Sequence, residues 1–242
     1  MQLRIPAEFI LRQMPGVFGI KEVIGNKSYY RLMDKLSAQM IGFSNPDKVI
    51  GLSDEDAKCD AIVNNSETFY KHDQQVMTGK TVRVLDIYPY KAGDILGILA
   101  IKKPLLDENQ KILAVLVQGF PLKKTDIDRI IIQVPDLSYS PKKMDTILSQ
   151  TYEIKDELGF FDLTKKELEC FFHMLRGKSA TEIAAISFRS LKTIETHMQN
   201  IKYKCGVNKK SELFDLAYAY GLLKTIPSSL MSKIPKFTQI LS

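Results

Sequence analysis

Two periodicities divide this chain. Up to about residue 122 the apolar positions fall in short alternating or continuous runs; beyond about residue 161 they recur every three or four residues. In the first part, Val17 to Val23 predicts a strand, Gly25-Asn26-Lys27-Ser28 a turn, and Tyr29-Tyr30 a second short strand. Leu32, Met33, Leu36 and Met40 share one side of a predicted helix over Leu32 to Met40. Asn45-Pro46-Asp47 and Gly51-Leu52-Ser53-Asp54 open turns or short helices. Ile62 to Met77 predicts a longer helix, closed at Thr78-Gly79-Lys80, where glycine can take the left-handed C-cap conformation. Three antiparallel strands follow: Thr81 to Tyr88, the almost continuously apolar Ile95 to Ile101, and Lys111 to Phe120 after the Asp107-Glu108-Asn109-Gln110 turn.

Residues 123–160 read as a linker. Ile127 to Val134 suits a helix or a strand, Ser138-Tyr139-Ser140-Pro141-Lys142-Lys143 is a break, and Met144 to Leu158 predicts a connecting helix before Gly159.

The last part predicts four helices. Thr164 with Glu167 forms a capping box, and Leu168, Phe171, Phe172 and Leu175 then supply one apolar face until Gly177. Ser179 with Glu182 forms a second box, ahead of Ile183, Ala184 and Ile186. Ser190 is an N-cap for a third helix whose core side is Ile194, Met198 and Ile201, with Lys192, Glu195, Thr196, Gln199 and Lys202 on its other sides. A last helix carries Leu213, Leu216, Ala217 and Tyr220 and stops at Gly221. A tight turn between two short helices, the second polar outside, is what a helix-turn-helix needs to enter the major groove. A solvated helical bundle fits the same pattern.

Charge tilts the balance. Residues 1–160 carry 21 basic and 21 acidic side chains, so the whole formal net charge of +6 lies in residues 161–242. A basic tail third suits a polyanion. Composition otherwise describes an ordinary globular chain, 45% hydrophobic and 26% charged. No apolar run is long enough to span a bilayer, and Arg4, Pro6 and Glu8 interrupt the start where a secretory leader would be apolar, so a cytoplasmic location is expected. Cys59, Cys170 and Cys205 form no CxxC pair and do not cluster with His72, His173 and His197 in sequence, which argues against a disulfide framework or a metal site. No phosphate-binding loop or nucleophile elbow is present, so no enzyme is expected.

Leu163-Thr164-x-x-Glu167, Glu182-Ile183-Ala184, Ser190-x-x-Thr193-Ile194-Glu195-x-His197, Asn200-Ile201-x-x-Lys204 and Gly221-Leu222 together resemble the LuxR-type helix-turn-helix of bacterial transcription regulators. The resemblance implies a recognition helix at about Leu191 to Lys204 and a last helix, about Ser211 to Gly221, that often serves as a dimer contact. By position it places Glu195, Thr196 and Gln199 against bases, and Lys192, Thr193, His197, Lys202 and Lys204 near the DNA backbone. Two departures stand out. Family members often carry Lys or Arg where Glu195 stands; a carboxylate there favours a cytosine amino group, or else serves only to repel wrong sites. In the turn, Ser187 and Arg189 occupy the family's usual apolar pair, which implies a local shift. Tyr203, Tyr218 and Tyr220 read as core or interface aromatics.

The first part resembles a PAS domain over roughly Pro15 to Leu122, through Ile41-Gly42-Phe43-Ser44-Asn45-Pro46, Gly51-x-x-Asp54, Asp73-x-x-Val76-x-x-Gly79, Lys103-Pro104-Leu105 and Gln118-Gly119-Phe120. PAS domains bind a small ligand or cofactor, or mediate dimerisation. Phe69, Val76, Leu99 and Leu116 are the candidate lining of a ligand pocket, or else simply fill the core. No cofactor is specified: Cys59 lacks the light-sensing flavin motif, and His72, beside Asp73, reads as an exposed polar position more than as a haem ligand.

The expected fold class is α+β: a PAS-like antiparallel sheet with helices over 1–122, the linker over 123–160, and an all-α four-helix LuxR-type domain with a C-terminal tail over 161–242. The expected partners are double-stranded DNA, a second copy of the chain, and a small molecule, with no membrane. The alternatives are a protein-interaction adaptor and a cofactor-holding redox sensor without sequence-specific DNA binding.

Overall fold

The computed structural model describes residues 16–134, 150–232 and 234. The described residues divide into two compact units, 16–127 with 150–151, and 128–134 with 152–232 and 234.

The first unit contains β1 (Val17–Ile24), β2 (Lys27–Met33), α1 (Lys35–Met40), α2 (Asp60–Val63), α3 (Ser66–Met77), β3 (Val82–Ile87), β4 (Gly97–Leu106) and β5 (Ile112–Leu122). These five strands lie in the order β2-β1-β5-β4-β3, every neighbour antiparallel. This is the antiparallel sheet with helices that the PAS-like resemblance implies. Entry into β1 needs glycine: Gly16 has φ +101°, and a Cβ there would lie 2.3 Å from the Gly119 carbonyl oxygen. Side chains alternate across the sheet, so Val82 and Val84 of β3, Ile98 and Ala100 of β4 and Val115 of β5 join Phe69 and Val76 of α3 in one core. Burying each of the Val, Ile and Phe side chains contributes about 1.5–3 kcal/mol.

Two expected helices in this unit are shorter than their apolar patterns suggest. The helix expected over Leu32 to Met40 starts at Lys35, because Asp34 Oδ1 accepts from the amides of Leu36 at 2.7 Å and Ser37 at 3.0 Å, leaving Leu32 and Met33 in β2. The helix expected over Ile62 to Met77 is interrupted between Val63 and Ser66, where the Asn65 side-chain amide donates to the Ala61 carbonyl at 2.9 Å.

After β5, α4 (Lys124–Gln133) is a helix, with Ile127, Ile130 and Val134 buried at helical spacing. The connecting helix expected over Met144 to Leu158 is overturned where the structure describes it: Gln150–Lys155 is strand β6. The earlier part of that expectation, and the break at Ser138, lie outside the described residues.

The second unit continues with α5 (Lys165–Met174), α6 (Ala180–Ser187), α7 (Leu191–Lys204), α8 (Lys210–Ala219), β7 (Thr225–Pro227) and α9 (Ser228–Met231). Four helices are present, three of them starting where the capping signals of Thr164, Ser179 and Ser190 put them. Both predicted capping boxes are formed, Thr164 with Glu167 and Ser179 with Glu182. Leu168, Phe171, Ile183, Ile194, Ile201, Leu213 and Ala217 close one core among these helices. The unit also holds what the all-α expectation omitted: β6 and β7 pair in parallel, Glu153 opposite Thr225 and Lys155 opposite Pro227.

Candidate nucleic-acid interface and ligand cavity

The helical unit builds its outer face from α7. Ser190 Oγ accepts from the Thr193 amide at 3.1 Å and starts the helix where the sequence reading places it. The turn before it is closed by Phe188, whose φ of +52° is left-handed; the Arg189 amide donates to the Ala184 carbonyl at 3.0 Å across it. Phe188 fills a C-cap place that usually goes to glycine, and its side chain is 94% exposed. The polar pair in the turn therefore leaves the cap of α7 intact. Ser187 Oγ donates back to the Ile183 carbonyl, and both Ser187 and Arg189 line a small cleft with Glu169, His173 and His197.

Helical phase sorts the side chains of α7. Ile194 and Ile201 are 2% and 0% exposed and face the core. On the opposite side Lys192, Thr196, Gln199 and Tyr203 recur at spacings of four, three and four residues and are all exposed, with Glu195 beside them. The three expected base-facing residues, Glu195, Thr196 and Gln199, are thus brought together on one accessible stripe. Thr196 Oγ1 donates to the Lys192 carbonyl at 2.9 Å, so its methyl and its remaining lone pairs are what it offers outward.

The expected backbone contacts divide. Lys192 is exposed and Lys202 half-buried. Thr193 is partly buried, its hydroxyl 2.8 Å from Ser190 Oγ at the cap. His197 departs from its expected place: it is off the outer stripe and lines the cleft, with Nδ1 buried and no hydrogen-bond partner among the described residues. Lys204 departs more fully. Its ammonium donates to Glu167 Oε2 at 2.8 Å and to the Asp162 carbonyl at 2.7 Å, joining the end of α7 to the start of α5. Burial works against the charged Glu167 carboxylate, but Lys204 and the Thr164 amide outweigh it and hold the pKa down at about 2.

The tyrosines are not core residues. Tyr203 is 87% exposed on the outer stripe, and Tyr218 and Tyr220 are also exposed. The ring of Tyr220 lies 5.6 Å from that of Phe161 and 5.7 Å from that of Phe160, centroid to centroid. The spacing of Tyr203 from Thr196 and Gln199 was the signal that places it outward.

The sheet unit contains a cavity of about 110 Å³ that is partly open to solvent. Its walls are largely apolar, from Phe18, Met40, Ile62, Phe69, Ile98 and Val117, with Lys21, Tyr30, Asp54, Asp86 and Lys102 as polar groups. Of the four expected lining residues, Phe69 alone is in this wall. Val76 is packed in the core behind it, and Leu99 and Leu116 sit one residue out of phase with the lining residues Ile98, Ala100 and Val117, on the opposite face of the sheet. Lys21 pairs with Asp54, which also accepts from the Tyr30 hydroxyl, and lies 3.6 Å from Asp73. Lys102 donates to Asp73 Oδ1 at 2.6 Å and to the Phe69 carbonyl at 3.2 Å. Burial opposes both kinds of charge. The carboxylates of Asp54 and Asp73 outweigh it and raise the pKa of Lys21, while Lys102 and Lys21 hold Asp73 below the usual carboxylate range. Burial pushes the Asp86 carboxyl up, against the hydrogen bond that Thr151 donates to it at 2.8 Å.

His72 corrects the sequence reading: it is buried, 3% exposed, and stands outside the cavity lining. Cys59, Cys170 and Cys205 are all buried, and burial pushes the thiols of Cys170 and Cys205 up to about 12 and about 11. Among the described residues no group of three or more His, Cys, Asp or Glu is placed to hold a metal ion. Among the described residues, no helix is long and apolar enough to cross a membrane.

Residues 162–217, which hold these helices and the outer stripe of α7, match the bacterial regulatory proteins of the luxR family. The chain is similar to the oxygen regulatory protein NreC of Staphylococcus epidermidis, 29% identical over 135 residues that make up 50% of this chain and 62% of NreC. It is also similar to an uncharacterized transcriptional regulatory protein, YhcZ, of Bacillus subtilis, 35% identical over 63 residues, 26% of this chain and 29% of that protein. The chain thus spans less than two thirds of the length of these curated relatives. Among solved structures it is similar to a Vibrio cholerae VqmA dimer without target DNA, at 26% identity and a TM-score of 0.48 with 93% of each chain covered. VqmA bound to DPO is similar at 25% identity and a TM-score of 0.45, covering 94% of this chain and 92% of that one.

Proposed function

We propose that this chain is a transcription regulator that binds DNA as a homodimer through α7, under the control of a small molecule held in the cavity of the sheet unit. The observation that carries the DNA reading is the sorting of α7. Lys192, Glu195, Thr196 and Gln199 are exposed on one side and Ile194 and Ile201 are buried on the other, in a domain of the LuxR type. Glu195 accepts from a cytosine amino group, Gln199 makes paired hydrogen bonds to a base edge, and Thr196 meets a thymine methyl. Lys192 and Lys202 hold the backbone. The chemistry is binding, not turnover, and takes place in the cytoplasm.

The cavity suits a compact, uncharged ligand. Its lysines already face carboxylates, so an added charge would bring a desolvation cost without a free counter-charge to offset it. An apolar body with a polar atom toward Lys102 or Asp86 fits the walls. Binding there shifts the population of dimers able to place both recognition helices in successive grooves.

Selection of bound sequences from a random duplex pool, by the full chain at near-physiological salt, tests the reading. Enrichment of a two-fold-symmetric site is expected. An unenriched pool, both with the full chain and with residues 152–242 alone, would favour the adaptor.

A further inference from the structure

The outer stripe of α7 continues past the residues that the family resemblance places against bases. Tyr203 follows Gln199 by one helical turn, in phase with Lys192 and Thr196, and is 87% exposed. So exposed a ring contributes little to the packing of the helical unit. The groups around it change what that end of the helix can offer. Lys204, the cation expected on the DNA backbone, is engaged by Glu167 and Asp162. The end of α7 therefore presents the Tyr203 phenol and the half-buried Lys202.

Length decides what that phenol would meet. Tyr203 lies eleven positions after Lys192, about 16 Å along a helix axis. The major groove of B-DNA is about 12 Å wide. A recognition helix reads bases with its N-terminal residues, so with Lys192 to Gln199 in the groove its last turn reaches the sugar-phosphate edge.

We infer that Tyr203 donates its phenolic hydroxyl to a backbone phosphate beside the site, an uncharged anchor that takes the place of the withdrawn Lys204. The inference rests on the DNA-binding reading of α7. A neutral donor displaces no condensed counterion, so its contribution persists as salt rises, unlike that of a lysine.

Fluorescence anisotropy with the full-length chain tests it, on a random-sequence duplex and on the enriched duplex, from 50 to 200 mM salt. Tyr203→Phe should weaken binding about ten-fold on both duplexes, the usual size for a hydrogen bond to a charged group, with the slope of log affinity against log salt unchanged. Lys202→Ala should instead make that slope shallower by about one. The thermal midpoint of Tyr203→Phe should match the parent, which separates a lost contact from a damaged fold. A Tyr203→Phe chain that binds both duplexes as the parent does at every salt concentration overturns the inference and leaves the DNA reading standing. A parent chain that binds neither duplex overturns both.

Discussion

The Lys204 ammonium lies 2.8 Å from Glu167 Oε2, so the last turn of α7 is bonded to the capping residue that opens α5. Glu167 has two roles here. It accepts from the Thr164 amide at 2.9 Å and receives a cation from the far end of α7. Lys204→Met leaves this carboxylate buried with its counter-charge removed, and should cost about 2–3 kcal/mol in urea unfolding at pH 7.

The same pair predicts a pH dependence. The Glu167 pKa of about 2 in the folded chain is depressed from about 4.3 in an unfolded one. Its stabilisation is therefore complete above about pH 5 and is lost as pH falls towards 2. That loss amounts to at most about 3 kcal/mol. Urea midpoints of the helical unit measured at pH 7 and pH 3 should differ more for the parent than for Lys204→Met; equal differences would show that the pair is not what holds the proton off.

Phe188→Gly should stabilise the chain. A non-glycine residue in the left-handed region costs about 1–2 kcal/mol, and a ring that is 94% exposed returns little of that through packing. Glycine loses more backbone freedom on folding, which offsets part of the gain. The net expectation is a gain of about 0.5–1 kcal/mol, visible as a higher thermal midpoint. A lower midpoint would mean that the ring is held by a contact the folded chain alone does not show.

Lys102→Met should destabilise the sheet unit by about 3–5 kcal/mol, because Asp73 then keeps a buried charge without its nearest cation. Adding Asp73→Leu should recover much of the loss, since an apolar pair of similar volume removes the stranded charge. Chemical denaturation of the parent, single and double variants measures this directly, and a double variant no better than the single would contradict it.

Gln199→Ala should cost about 1–3 kcal/mol at one base position and relax preference there. Glu195→Ala should relax preference for cytosine at a neighbouring position. Lys192→Ala should weaken binding to every sequence alike. Competition binding with single-base variants of the enriched duplex distinguishes these three patterns.

Local signals carried the helical unit almost whole. A capping box or an N-cap needs only residues two or three apart, so Thr164, Ser179 and Ser190 mark helix starts without any knowledge of tertiary structure. The outer stripe of α7 is equally local: of the core and interface readings of Tyr203, its phase with Thr196 and Gln199 excludes the core. Features that depend on distant residues were not legible. The partner of Lys204 lies on α5, and β6 pairs with a strand that follows four helices. In β4, Ile98 to Ile101 is apolar on both faces, so alternation alone gave no reason to prefer Ile98 over Leu99 as cavity wall. His72 looked like a surface residue because its buried surroundings come from other elements.

The parallel pairing of β6 and β7 also has a mechanical side. The segment leading into the four helices and the segment leading out of them run in the same direction, Glu153 against Thr225 and Lys155 against Pro227. Tension applied between the start of β6 and the end of β7 therefore pulls the two strands lengthwise past each other. Their bonds share such a load together, whereas an antiparallel hairpin held at its open end gives them up one by one. The clasp sits at both ends of the helical unit at once, so an unfoldase drawing in the chain from either terminus would have to shear it before reaching α7.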